Sequence, residues 1–215
     1  LKIGSFDESS HIKEQSEKEL QIARANIIEI LSNPNVERVT IITASGYDFF
    51  GEGMALPKNE NEASQKKDTL SNGYLLELIS RREKSVQIVL VDPECKDHET
   101  RANAYLSDGA HQVLKSVEDY KTSVETATRN LRAAYKKNKN ISLRLTSKSP
   151  QWKMIFSERE VWVQPIIEGV RSDHTPMYGF RKTPYSVYHA FWNLSEEIWH
   201  SAKPVDLSIK LDSNA

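Results

Sequence analysis

The chain has 215 residues, 38% of them hydrophobic and 27% charged, with 29 Lys+Arg against 30 Asp+Glu and a formal net charge of −1. That length builds a core without disulfide or metal staples, and that charge balance gives no global field for nucleic acid or another polyanion. The single cysteine, Cys95, excludes an intrachain disulfide framework and any multi-cysteine zinc or iron–sulfur site, and it fits a reducing, cytoplasmic compartment.

No apolar run approaches the ~20 residues of a membrane span, and no signal-peptide pattern opens the chain. The first residue is Leu1 rather than Met, as in a piece of a longer protein. Residues 1–12 are mostly polar and read as a leader. From about Glu14 to Leu31, apolar residues at Leu20, Ala23, Ile27, Ile30 and Leu31 keep helical spacing, and Asn33-Pro34-Asn35 stops that helix. The β-branched run Val36 to Thr43 predicts a strand ending in turn chemistry at Ala44-Ser45-Gly46. Gly51 to about Thr69 is long, polar and weakly patterned, which inside a compact domain marks a functional or disordered segment.

Asn72 to Lys84 resumes helical spacing through Leu75, Leu76, Leu78 and Ile79. Val86-Gln87-Ile88-Val89-Leu90-Val91 is the strongest strand signal, an apolar run suited to a sheet covered on both faces, and it ends in Asp92-Pro93. A long helix follows from about Val117 to Lys137, with Val117, Tyr120, Val124, Ala127, Leu131 and Ala134 stepping by three and four. Ile141 to Leu145 alternates as a strand. Trp152 to Phe156 and Val161 to Ile167 form a hairpin around Ser157-Glu158-Arg159-Glu160, and Met177 to Arg181 is a short strand. Ser186 to Ala202 closes as a helix whose Tyr188, Phe191, Trp192, Ile198 and Trp199 read as core. The order predicts one α/β domain over residues 1–207, a layered α/β/α arrangement with a mixed sheet and a polar tail at 208–215.

The motif search excludes more than it finds. Gly51-Glu52-Gly53 lacks the third glycine of a dinucleotide fingerprint, and there is no phosphate-binding loop, His-Glu-x-x-His or Gly-x-Ser-x-Gly. The histidines at 11, 98, 111, 174, 189 and 200 never lie three or four residues apart, so no local metal pair exists and neither metal nor cofactor is expected. Lys136-Lys137-Asn138-Lys139 and Arg81-Arg82-Glu83-Lys84 sit at predicted helix ends, where cations complement the dipole.

The C-terminal third carries a denser pattern: Ser149-Pro150-Gln151-Trp152-Lys153, then Ser157-Glu158-Arg159, the loop His174-Thr175-Pro176, Phe180-Arg181, and a closing Phe191-Trp192 to Ile198-Trp199, Ala202 and Pro204. With the element order, these residues resemble the phospholipase D-like superfamily in its single-copy bacterial form over about residues 14–205. The family's motif is His-x-Lys followed by an acid. The His forms a phosphohistidine while the Lys neutralises phosphate oxygens. Matched to it, Gln151 takes the nucleophile position, Lys153 the cation and Glu158 the acid. A carboxamide cannot carry a phosphoryl group by the imidazole route, so the resemblance implies a catalytically degenerate domain. It would sense a small anionic or phosphate-bearing ligand, pair as a homodimer, and bind through Gln151, Lys153, Glu158, Asp92 and Arg181. His174 is the candidate base if an active phosphodiesterase or nuclease survives. A third reading is an oligomerisation or partner-docking module. For Asp92 the plainer alternative is an Asp-Pro turn capping the next helix. Arg101 reads as solvated helix surface or a partner of Asp92, and Arg144 as the polar face of its strand.

Overall fold

The structure, a computed structural model, describes residues 25, 28–30, 32–50, 76, 78–80, 84–107, 116–167 and 175–209. The expected leader, most of the helix from Glu14, the Gly51–Thr69 loop, His174 and the end of the polar tail lie outside them, as does the side chain of Arg101.

Seven strands form one mixed sheet. They are β1 (Arg38–Ile42), β2 (Ser85–Val91), β3 (Ile141–Thr146), β4 (Trp152–Phe156), β5 (Glu160–Pro165), β6 (Tyr178–Arg181) and β7 (Lys203–Val205), in the order β6-β5-β4-β1-β2-β3-β7. β1, β2 and β3 run parallel, with Ile41 opposite Ile88 and Ile88 opposite Leu143. β4, β5 and β6 continue antiparallel from β1, and β7 is antiparallel to β3. The helices are α1 (Tyr47–Phe50), α2 (Lys96–Ser107), α3 (Val117–Tyr135) and α4 (Tyr188–Ser201), with further helical residues at 28–30 and 78–80.

Strand alternation divides the core into two layers. Val39, Ile41, Val86, Ile88, Leu90, Ile141, Leu143 and Ile155 pack on one face against Val124, Ala127, Leu131 and Ala134 of α3. Ile42, Val89, Met154, Phe156, Val161 and Val163 pack on the other against Tyr188, Trp199 and Ala202 at α4. β2 is thus covered on both sides, as its unbroken apolar run requires. The expected layered α/β arrangement with a mixed sheet is present among the described residues. No described helix is long and apolar enough to cross a membrane.

Two local signals fix the parallel half. Ser116 caps α3 by accepting the Asp119 N–H at 3.0 Å. Gly46 turns β1 into α1 at φ 71°, and a Cβ there would stand 3.0 Å from Leu90 Cδ2 and 3.3 Å from the Ala127 Cβ, so conformation and space both demand glycine. Three elements were not delineated from the sequence: the four-residue α1, which follows the Ala44-Ser45-Gly46 turn, α2 and β7. α2 is polar apart from a few positions, and β7 is only three residues long with Pro204 in it.

Candidate functional site

The carboxyl ends of parallel strands are where open α/β sheets place ligands. Here β3 ends in the loop 147–151, which returns as β4 beside β1. Asp92 N–H donates to the Thr146 carbonyl at 2.8 Å, tying the end of β2 to that of β3. Thr146 Oγ1 donates to the Lys148 carbonyl at 3.2 Å and accepts the Lys148 N–H at 3.3 Å. Asp97 Oδ2 accepts the Ser149 N–H at 3.2 Å, so α2 holds the loop from the other side.

Between this loop and α4 lies a cavity of about 300 Å³. Its polar wall is Ser147, Lys148, Ser149 and Gln151; its apolar floor is Trp152, Met154, Leu194 and Ile198, with Glu197 and Ser201 at the helix rim. Ser147, Lys148, Gln151 and Glu197 are exposed, whereas Met154 is fully buried. One cation, several hydroxyls and a carboxamide over an apolar base suit an amphipathic molecule with one anionic end.

The residues expected to bind together are distributed over the sheet. Gln151 lines this cavity, but Glu158 lies at the far end of β4, and five extended residues span roughly 17 Å. Lys153 alternates with Trp152 and Met154, so its side chain enters the α3 face. There it is buried with Nζ 4.5 Å from the Phe49 ring centroid. Asp92 stands at the carboxyl ends without lining the cavity. Its Oδ1 accepts the Glu94 N–H at 3.0 Å, which makes it the turn before α2. Arg181 lies opposite Glu160 at the other end of the sheet. Gln151 is exposed at the cavity, Lys153 is buried against Phe49 and Glu158 lies beyond the far end of β4, so the matched three form no single cluster.

Glu158 belongs instead to a lock at the amino end. Its Oε1 accepts the main-chain N–H of Arg38. The Arg38 guanidinium pairs with Glu196 of α4 at 2.6 Å and lies 5.0 Å from the Trp192 ring centroid. Tyr188 donates its hydroxyl to the Ser157 carbonyl at 2.9 Å. Burial, helped by the Glu158 carboxylate, pushes that hydroxyl from 10.0 up to about 12. Arg144 is similarly structural: it donates to the Trp199 carbonyl at 2.7 Å and lies 4.4 Å from the Trp199 ring centroid, closing the end of α4.

Lys148, Trp152 and Glu197 were not singled out as site residues. The signal for the first two was positional, a polar loop following a buried parallel strand; Glu197 is recognisable only once α4 is docked. Among the described residues no group of three or more His, Cys, Asp and Glu is arranged to hold a metal ion.

No family model and no curated protein matches the chain. Among solved structures it is similar to TrmBL2, an archaeal chromatin protein, at 13% identity and a TM-score of 0.42, over 88% of this chain and 51% of that one. The chain therefore spans about half the length of that protein.

Proposed function

We propose that this chain is a binding module, a catalytically degenerate phospholipase D-like domain, that senses a small anionic or phosphate-bearing molecule at the carboxyl ends of β1–β3. The observation that carries this reading is the cavity between the Thr146–Trp152 loop and α4, in which Lys148 and two serines stand over an apolar floor. Lys148 and the hydroxyls of Ser147 and Ser149 take the anionic group through charge-assisted hydrogen bonds. Trp152, Leu194 and Ile198 take the apolar body of the ligand, and Glu197 and Gln151 accept its hydroxyls. Binding rather than turnover is favoured because Gln151, at the family's nucleophile position, cannot form a phosphoryl intermediate. The pairing of two copies is carried by the resemblance alone, and sedimentation velocity reads it directly.

A melting screen with inorganic phosphate, a phosphomonoester, a phosphodiester and an uncharged polyol tests the proposal. A ligand that binds only the folded state raises Tm by mass action. The phosphorylated compounds are expected to raise Tm in wild type and not in Lys148→Ala. Turnover of a phosphodiester panel that is lost in His174→Ala with the fold intact would replace this reading with the active-enzyme one.

A further inference from the structure

A second cavity, of about 390 Å³, lies between the helical residues 28–30 and the β5–β6 pair. Part of its wall is apolar. Ile30 and Val36 are buried there, and the Trp162 ring lies across Gly179, where a Cβ would come within 2.9 Å of it. Glycine at 179 is therefore what lets the indole lie flat against β6 as a wall. Four charged side chains complete the lining, two of each sign: Glu29 and Glu160, Arg159 and Arg181. Glu29, Arg159 and Arg181 are exposed, and none of the four is in an ion pair among the described residues.

Distance along the sheet does not account for that lack of pairing. Lys182 N–H donates to the Arg159 carbonyl at 2.6 Å, which makes Arg159 and Lys182 a hydrogen-bonded pair of the antiparallel ladder. Glu160 and Arg181, next in register, are then a non-hydrogen-bonded pair. In such a pair the Cα atoms stand about 4.5 Å apart and the side chains leave on one face of the sheet. Both side chains line the cavity instead of closing on each other. The mixture of signs decides what the cavity accepts. A molecule with one negative charge gains from the guanidinium groups and is repelled by the carboxylates beside them; a molecule with one positive charge meets the reverse. A ligand carrying both charges gains from both.

We infer that this cavity binds a free α-amino acid with an apolar side chain, its carboxylate on Arg159 and Arg181 and its ammonium group on Glu160 and Glu29. The register of Glu160 with Arg181 sets the class, because direct neighbours across two strands suit a ligand whose opposite charges are also close together. A guanidinium fork matches a carboxylate and holds it by charge-assisted hydrogen bonds. The ligand's side chain packs on Trp162, Ile30 and Val36, and the volume is in the range of small-molecule sites. The site is separate from the carboxyl-end cavity and does not depend on what binds there.

An NMR titration of the whole chain with phenylalanine and with leucine tests this. N-acetylphenylalanine, which keeps only the negative charge, and phenylalaninamide, which keeps only the positive one, run beside them. The free amino acids are expected to give saturable amide shifts at 159–162 and 179–181, and each singly charged derivative to bind about tenfold more weakly. Arg181→Gln and Glu160→Gln should each weaken phenylalanine about tenfold and shift selectivity in opposite directions. Glu160→Gln moves it toward the acetylated compound and Arg181→Gln toward the amide. Circular dichroism checks that each variant folds. A derivative binding as tightly as phenylalanine, shifts confined to 146–152 and 194–201, no saturable shift with either amino acid, or unaltered selectivity in both variants would each overturn the inference.

Discussion

The two ends of β4 are built differently. At its start, the Thr146–Trp152 loop is held by backbone hydrogen bonds to Thr146 and Asp97, leaving Lys148 and Gln151 exposed over a cavity. At its far end, Glu158 Oε1, the Arg38 guanidinium, Glu196 and Tyr188 bond one another and the backbone, while the buried Glu158 Oε2 and Arg38 Nε have no hydrogen-bond partner among the described residues. One end therefore has side chains to give to a partner, while the other has given them to the fold. Substitutions should separate the two ends, with stability changing at one and affinity at the other.

The largest stability effect is expected at the locked end. Glu158→Ala strips the Arg38 N–H of its acceptor, and urea unfolding should show a loss of about 2 kcal/mol. Glu158→Gln keeps an acceptor and should recover much of it. Neither should change binding at the carboxyl-end cavity.

Tyr188 sharpens the same contrast through pH. Its hydroxyl titrates near 10 when unfolded and at about 12 when folded. The folded chain therefore holds that proton more tightly. The contribution is complete below pH 10 and is lost as pH rises through 10 to 12. Tyr188→Phe should remove this alkaline slope from the Tm-versus-pH curve, whereas Lys148→Ala should leave it in place.

Tyr185→Gly is expected to act in the opposite direction. Relieving the positive φ should raise stability by about 1 kcal/mol in urea unfolding. The smallest stability effect belongs to Lys148→Ala, within about 0.5 kcal/mol of wild type because the side chain is exposed. A large loss of stability there would erase the distinction between the two ends.

Much of the fold was legible because local pattern and final burial agree. The continuous run Val86–Val91 is a strand covered on both faces, and the three-four spacing of Val124, Ala127, Leu131 and Ala134 is the buried stripe of α3. α2 was not delineated because charged and polar residues fill it, with Ala102 its one buried residue among the described side chains. The site was less legible than the fold. Gln151, Lys153 and Glu158 look adjacent in sequence, but strand alternation puts Lys153 on the opposite face from Met154 and strand length carries Glu158 away. Of the aromatic residues expected in the core on the last helix, Tyr188 and Trp199 are buried against the sheet, while Phe191 and Trp192 are only partly buried.

The most direct test of the carboxyl-end site is an NMR titration with phenyl phosphate, which joins one anionic group to an apolar ring. Phenol and inorganic phosphate serve as the separate halves. Amide shifts should gather in 146–152 and 194–201, exceed those from either half, and disappear in Lys148→Ala. Shifts elsewhere, or shifts that survive Lys148→Ala unchanged, would contradict the assignment of this cavity as the binding site.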